Sequence, residues 1–218
     1  MHFYTAGSRK KPEEKQNRIR KEVAMAQLLM KWDSSEPLQE MVIPDGFSYH
    51  QYHRGGDNVL TEEAFQYQWI DIRDPQHGER ITWWYHVVYD DPRVPDDGFF
   101  LILDQEGRIA ASACIQLGEH TPDSATVHSV CAGEKFRGRG LGKAVTIAVM
   151  RYAKGHGIRE VYLTTDDNRI PAVGLYLSLN FLPVLYLPDM RGRWQQLIEQ
   201  LQIGQHSVID EQGKERQL

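Results

Sequence analysis

A short run of glycines and arginines is the part of this sequence best suited to chemistry. Residues 137–142 are Arg-Gly-Arg-Gly-Leu-Gly, and they stand between a strand-like segment and a long helix-like segment. A turn that opens a helix points unpaired backbone N–H groups outward, and the helix end carries about +0.5 of an elementary charge. Such an end binds anions, and phosphate groups in particular. The run therefore predicts a site for a phosphorylated ligand.

Two common phosphate-binding motifs do not fit the run. A P-loop requires Gly, four residues and then Gly-Lys-Ser/Thr, but Lys143 is followed by Ala144, and the first glycine would fall on Arg137. A dinucleotide fingerprint, G-x-G-x-x-G, that begins at Gly138 requires its third glycine at position 143, which is a lysine. Neither loop is therefore expected here.

A third pattern, Arg/Gln-x-x-Gly-x-Gly/Ala, is matched by Arg137, Gly140 and Gly142. A strand is predicted over 125–131 before the loop. A helix is predicted from Leu141 onward, because apolar residues recur there at helical spacing. The features that follow are a strand over 160–165, Asn168, a helix over about 170–179 that contains Ala172 and Tyr176, and then Phe181.

This order of loop and elements resembles the GNAT (GCN5-related N-acetyltransferase) superfamily, in which the third pattern is the coenzyme A pyrophosphate loop. The resemblance covers roughly residues 99–187. Glu134 departs from it, because the family usually has a proline there, and Asn180 replaces the glycine that precedes Phe181. The second change is mild, because asparagine also adopts the left-handed conformation at a helix C-terminus.

The resemblance implies acetyl-CoA as co-substrate and direct attack by a primary amine in a ternary complex. In the family, the strands on either side of the loop splay apart, and the pantetheine arm pairs with the backbone of the first. The residues that the resemblance assigns to acetyl-CoA are Val130, Cys131, Ala132, Arg137, Gly138, Arg139, Gly140, Leu141, Gly142, Lys143 and Asn168. Solvation is the alternative for the three cationic side chains, and helix capping is the alternative for Asn168.

Two side chains are the candidates for catalytic proton transfer. Tyr176 stands where the family keeps the general acid for the departing thiolate, and packing beneath its helix is the alternative. His128 lies on the strand before the loop, where some members carry a base, and its ordinary pKa of about 6.5 suits that role. Strand alternation places His128, Val130 and Ala132 on one face, so the imidazole can equally face the helices.

The whole pattern predicts an α/β (α+β) fold with a mixed, mostly antiparallel twisted sheet flanked by helices and an extra N-terminal helix. That helix is predicted over 12–32 from an apolar stripe that ends at Met30. Between it and the loop we expect a strand over 47–54, helices over 61–70 and 79–89, and a hairpin of 99–103 with 109–117. A helix is also predicted near 194–201. The expected domains are an N-terminal tail and helical extension, 1–45, an acyltransferase domain, 46–187, and a C-terminal helical segment and tail, 188–218.

Composition narrows the functional class. The 218 residues carry a net charge of −5, which argues against nucleic-acid binding, because phosphate contacts need clustered Lys and Arg. The apolar runs are far short of the roughly 18 residues that read as a membrane span, so no membrane partner is expected. Cys114 and Cys131 fall in predicted strands and are expected to be buried thiols of a cytoplasmic protein. No metal is expected, since His50 and His53 would point to opposite faces of a strand.

The sequence leaves the acceptor open between a small-molecule amine and a peptide amine. A non-catalytic acyl-CoA-binding sensor or scaffold module is the alternative function, because holding the ligand requires only the loop. The resemblance also leaves open a homodimer.

Overall fold

The computed structural model describes residues 26–73 and 85–218, which form two compact units. The larger unit consists of Met30–Leu163 and Pro171–Leu182. The smaller unit contains residues 26–29, Thr164–Ile170 and Pro183–Leu218. No helix in the described ranges is both long and apolar enough to cross a bilayer.

The larger unit contains most of the regular structure. Its strands are β1 (Leu28–Asp33), β2 (Phe47–Tyr52), β3 (Phe99–Asp104), β4 (Ile109–Leu117), β5 (Ser124–Ala132) and β6 (Glu160–Thr165). Its helices are α1 (Glu62–Arg73), α2 (Leu141–Gly155) and α3 (Ile170–Ser178), and residues 85–89 are also helical. The smaller unit contributes β7 (Leu182–Val184), α4 (Met190–Gln200), β8 (Ser207–Ile209) and β9 (Glu215–Gln217).

The sheet of the larger unit has the strand order β2-β3-β4-β5-β6-β1. Strands β2 to β5 form an antiparallel meander, and β6 then pairs with β5 in parallel. A parallel neighbour requires a crossover, which α2 supplies. The predicted mixed, mostly antiparallel sheet flanked by helices is confirmed.

Helices α1 and α2 cover opposite faces of this sheet. The ring of Phe99 packs 5.4 Å from that of Phe65 on α1, whereas the ring of Phe100 packs 5.5 Å from that of Tyr152 on α2. Consecutive residues of a strand point to opposite faces, so the two contacts lie on different sides. Each such aromatic pair contributes about 0.5–1.5 kcal/mol beyond the burial of its area.

The helix predicted over 12–32 is wrong at its C-terminal end, because residues 28–33 form strand β1. Leu28, Met30 and Trp32 are fully buried and alternate with half-buried residues, which is the period of a strand. Residues 26 and 27 are not helical either, and residues 12–25 of that predicted helix lie outside the described residues. So do the first residues of the helix predicted over 79–89, Trp83 among them.

The smaller unit contains the C-terminal segment of the chain, Pro183–Leu218. Helix α4 begins at Met190, four residues before the predicted start, and buries Met190, Trp194, Leu197 and Ile198 along one stripe. The chain then forms the antiparallel β8–β9 hairpin, and β8 pairs in parallel with β7 at Val184↔Ile209.

Asp57 holds together the connection between β2 and α1. Its carboxylate is 1% exposed, accepts backbone N–H groups from His53, Val59 and Leu60, and lies 2.8 Å from the His50 ring. Burial raises the pKa of Asp57, but these hydrogen bonds outweigh burial and hold the pKa below its ordinary value of 3.8.

We therefore expect Asp57→Asn to lower the unfolding free energy by about 1–3 kcal/mol at neutral pH. A carboxylate with a depressed folded-state pKa stabilises the protein above its unfolded pKa and loses that effect as pH falls through its folded pKa. The difference in unfolding free energy between Asp57→Asn and the wild-type protein should be constant from pH 7 to pH 5 and should shrink below about pH 4. Urea titrations at several pH values test this, with the exposed Asp123→Asn as control, and a difference that persists at pH 3 would contradict it.

Candidate functional site

The glycine-rich turn that opens α2 has the conformation of an anion site. Gly138 and Gly140 have φ angles of +76° and +79°, a region that glycine occupies without steric cost. A Cβ at either position would meet nothing within 4 Å, so conformation rather than crowding requires glycine there. The N–H of Ala144 is the first to bond back into the helix, at 3.1 Å to the O of Gly140. The N–H groups before it have no intrahelical acceptor.

A short 3-10 turn, Glu134–Phe136, delivers the chain to this site. The N–H of Phe136 donates to the O of Gly133 at 2.8 Å, and the Phe136 ring packs edge-on against Phe47 at 5.7 Å. The following residues, 137–140, are exposed. The cationic side chains of the loop are thus presented to solvent from an anchored base.

Strands β5 and β6 diverge as they approach the loop. Their parallel ladder runs only from Ser124↔Glu160 to Thr126↔Tyr162 among the described residues. Beyond that point β5 continues for six residues to Ala132, still paired with β4 on its other side. The divergence leaves a gap at the carboxyl end of the strands, where an extended ligand can pair with β5 as an added strand.

A β-bulge interrupts β5 at the same place. Ser112 pairs with Cys131, and Cys114 pairs with His128. The two pairs are thus two residues apart on β4 but three residues apart on β5. Ser129 has a φ of +55° and marks the bulge. Bulges re-aim side chains and occur next to active sites more often than elsewhere. No local sequence signal, such as a glycine or asparagine, predicts this one.

The bulge corrects the predicted face of His128. Alternation alone places His128 with Val130 and Ala132, but the register places it on the face of Cys131 instead. That face also carries Cys114, which belongs to the core beneath α1. His128 is half-buried there, while Val130 and Ala132 belong to the opposite face.

Tyr176 occupies the last turn of α3 and is fixed there by the helix terminus. The N–H of Phe181 donates to the O of Tyr176, and the N–H of Asn180 donates to the O of Leu177, each at 3.1 Å. With Asn180 at a φ of +63°, these bonds form a Schellman motif. The rings of Tyr176 and Phe181 pack at 6.1 Å, and Tyr176 is only 7% exposed. The expected left-handed Asn180 is confirmed.

Helix α3 packs against the first turn of α2. A Cβ built on Gly142 would lie 3.6 Å from Cδ1 of Leu175, the residue before Tyr176. The structure therefore brings the helix of the candidate acid next to the N-terminal end of α2.

Replacing Asn180 tests whether the terminus of α3 depends on the left-handed conformation. Asn180→Ala should lower the unfolding free energy by about 1 kcal/mol, because a positive φ is sterically more unfavourable for alanine than for asparagine, whose side chain can hydrogen-bond locally. Asn180→Gly, which has no such cost, should stay close to the wild-type protein. Urea denaturation of the three proteins measures this, and equal stability of the alanine and glycine variants would count against it.

Asn168 lies in the smaller unit, exposed in the turn that follows β6. The turn closes through the N–H of Arg169, which donates to the O of Asp166 at 3.0 Å. Arg193 of α4 braces it, because its Nε and Nη2 bind the two carboxylate oxygens of Asp167 and Nη2 also donates to the O of Ala26. Hydrogen bonding to Asp167 raises the pKa of Arg193. The sequence does not predict this role of Arg193, because no local pattern links it to a residue 26 positions away.

The other predicted site residues are placed as follows. Arg137, Gly138, Arg139 and Gly140 are exposed, Gly142, Lys143, Val130, Cys131 and Ala132 are half-buried, and Leu141 is buried. His50 binds Asp57 rather than His53, and the described residues contain no group of three or more His, Cys, Asp or Glu that could hold a metal ion.

Comparison with known proteins identifies the family. A model described as the acetyltransferase (GNAT) family matches residues 60–181, which is more than half of the chain. The chain belongs to the GNAT acetyltransferase family. The match includes the glycine-rich turn, the β5–β6 gap and Tyr176, so the family resemblance seen in the sequence is confirmed.

Two curated relatives of this GNAT chain share a name. It is 38% identical over 171 residues to the mycothiol acetyltransferase of Arthrobacter sp. (strain FB24), covering 73% of this chain and 51% of that protein. It is 28% identical over 167 residues to the mycothiol acetyltransferase of Pseudarthrobacter chlorophenolicus, covering 71% and 50%. The chain thus spans about half the length of the curated relatives it matches.

Solved structures show the same fold. A GCN5-related N-acetyltransferase from Sphaerobacter thermophilus superposes with a TM-score of 0.57 at 21% identity, covering 78% of this chain and 53% of that one. A tandem GNAT protein from the clavulanic acid biosynthesis pathway gives a TM-score of 0.56 at 15% identity, covering 72% and 50%.

Proposed function

We propose that this GNAT chain is an acetyl-CoA-dependent N-acetyltransferase that moves an acetyl group to a primary amine by direct attack in a ternary complex. The observation that carries the proposal is the half-paired β5, which leads into the glycine turn at the start of α2. One end of this arrangement suits an extended amide chain and the other suits a diphosphate, and coenzyme A contains both.

Different residues of the loop and of β5 suit the pantetheine arm and the diphosphate of coenzyme A. The backbone of Val130, Cys131 and Ala132 pairs with the pantetheine arm in the place that β6 has left. Backbone N–H groups from Gly138 to Lys143 receive the diphosphate, and the helix dipole adds to the attraction. Arg137, Arg139 and Lys143 contribute positive charge. The family pattern also assigns Asn168 to the pantetheine arm.

The transfer requires a base, an oxyanion donor and an acid. His128 takes a proton from the acceptor ammonium, so the neutral nitrogen forms a bond to the thioester carbonyl carbon. A strand N–H near the bulge at Ser129 stabilises the charge that develops on the carbonyl oxygen. The carbon–sulfur bond then breaks, and the Tyr176 phenol protonates the departing sulfur. The second proton of the nitrogen leaves to solvent, which restores a neutral amide.

The acceptor that we propose is a small-molecule primary amine. The support is the name of the relatives, mycothiol acetyltransferase, at up to 38% identity. A screen of amino sugars, amino-acid amides, polyamines and short peptides, followed by mass spectrometry of the products, would distinguish a small-molecule acceptor from a peptide acceptor.

Calorimetric titration with acetyl-CoA, coenzyme A and ATP tests the binding step. Micromolar binding of the first two, at least about tenfold tighter than ATP, is expected from diphosphate and pantetheine contacts together. Arg137→Glu should weaken it by at least about tenfold, whereas Arg159→Glu, an exposed arginine outside the loop, should not.

The same titration separates the two candidate functions. No coenzyme A binding by the folded protein would overturn the proposal. Tight binding without acetylation of any amine in the screen would favour a sensor or scaffold module instead.

A further inference from the structure

A second pocket lies in the larger unit, between β2, β3 and the C-terminal half of α2. Its volume is about 370 Å³, and its walls include Tyr49, Asp97, Phe100, Arg151, Tyr152 and His156. Arg151 is ten residues from the start of α2, which is about 15 Å along the helix axis. The pocket is therefore remote from the helix N-terminus that we assign to coenzyme A, and the acetyl-transfer chemistry does not use it.

One wall of the pocket is negative and rigidly held. The Asp97 carboxylate accepts a hydrogen bond of 2.9 Å from the Tyr152 hydroxyl, and the Asp97 backbone oxygen accepts one of 2.7 Å from Gln51. Tyr152 is itself fixed, because its ring stacks on His156 at 3.9 Å and meets Phe100 edge-on. A carboxylate offers about four acceptor positions, so Asp97 keeps capacity for a donor from a ligand.

The pocket also carries a positive charge. Arg151 is exposed on α2 and forms no ion pair with any residue that the structure describes. Tyr49 lies within reach of both charges. Burial raises the pKa of Tyr49 to about 12, while Arg151 acts to lower it and Asp97 acts to raise it. His156 uses Nδ1 to bind the O of Tyr152 at 2.8 Å, which leaves Nε2 for another partner.

We propose that this pocket binds a small zwitterion of the α-amino-acid class, its carboxylate toward Arg151 and its ammonium toward Asp97. Two opposite charges in one pocket weaken the attraction for a simple anion or a simple cation, but both favour a ligand that carries both charges. The aromatic floor of Phe100 and Tyr152 accommodates the ligand's side chain. A volume of about 370 Å³ lies at the lower end of the range of small-molecule sites, which suits a ligand of this size.

Isothermal titration and thermal-shift measurements with the twenty standard amino acids test the inference directly. Sodium acetate and methylamine, each presenting half of the zwitterion, are the matched probes. At least one amino acid should bind saturably at millimolar concentration, at least about tenfold more tightly than either half-ligand. Arg151→Met and Asp97→Asn should each weaken that binding at least about tenfold, because each removes one charge, while Met keeps an unbranched apolar stem and Asn keeps the shape of Asp.

The control variants are Arg159→Met and Asp123→Asn, which remove an exposed charge elsewhere in the same unit and should leave binding unchanged. Asp97→Asn keeps an acceptor for the Tyr152 hydroxyl, and circular dichroism checks its fold. Should it fail to fold, the exposed Arg151→Met decides alone. The inference is overturned if no amino acid binds, if acetate binds as tightly as the amino acid, or if the pocket variants bind like the wild-type protein. The test is independent of acetyl transfer, so its outcome does not depend on the proposed function.

Discussion

Tyr176→Phe is expected to lower kcat about 100-fold and to leave the affinity for coenzyme A within about twofold of the wild-type value. The substitution removes only the phenolic O–H. The aromatic ring keeps its contact with Phe181, and the Schellman motif at Asn180 is made by backbone atoms. A loss of kcat alone would therefore report the missing proton and not a displaced helix.

The pH dependence sharpens this expectation. A free thiol has a pKa of about 8.5, so a departing thiolate needs an acid below that pH and much less above it. The loss of kcat in Tyr176→Phe should be largest near pH 7 and should diminish toward pH 9.5. Release of coenzyme A thiol, followed colorimetrically at saturating acetyl-CoA, provides the rates.

Two further variants make the result specific. Tyr186→Phe removes a phenol that donates to the backbone oxygen of Gln27 in the smaller unit, and it should leave kcat unchanged. His128→Gln should lower the rate most above about pH 6.5, the ordinary pKa of an imidazole, and below the pKa of the acceptor amine, because the wild-type base is unprotonated there and the amine still needs one. If Tyr176→Phe retains full activity, Tyr176 only packs beneath its helix, and another donor must supply the proton.

Local sequence signals predicted the parts of the site that depend on local conformation. The left-handed φ angle of Asn180 follows from a residue type that tolerates it, and so does the end of α3. The apolar periodicity after the turn predicts helix α2, and a helix carries a partial positive charge at its N-terminal end. Each of these features is decided within a few residues of chain.

Features that arise from pairing or packing were missed. The bulge at Ser129 exists because β5 has one more residue than β4 between the pairs Ser112↔Cys131 and Cys114↔His128. The sequence of either strand alone does not show this extra residue. Strand β1 was assigned to a helix because Met30 fits both an i, i+4 stripe and the alternation of Leu28, Met30 and Trp32. Only the burial of every second residue in the folded sheet distinguishes the two periods.

Gly140→Val is expected to weaken coenzyme A binding at least about 100-fold, which is about 2.7 kcal/mol. A β-branched residue at a φ of +79° is a severe outlier, so the turn must change its conformation. The N–H groups at the start of α2 then no longer point at one diphosphate position. The same strain should cost about 1–2 kcal/mol of unfolding free energy, which urea denaturation measures separately.

Gly142→Ala supplies the contrast, because this glycine lies within α2 at an ordinary φ. Its Cβ would make a normal contact of 3.6 Å with Leu175, and alanine favours a helix over glycine by about 1 kcal/mol. It should keep or raise stability and should hold coenzyme A within about threefold of the wild-type affinity, because the methyl group points toward α3. Wild-type affinity in a folded Gly140→Val protein would mean that the diphosphate does not use this turn. A loss in both variants would mean that the methyl group at position 142 also meets the ligand, and the diphosphate would then lie farther along the helix than the N–H groups of 138–140.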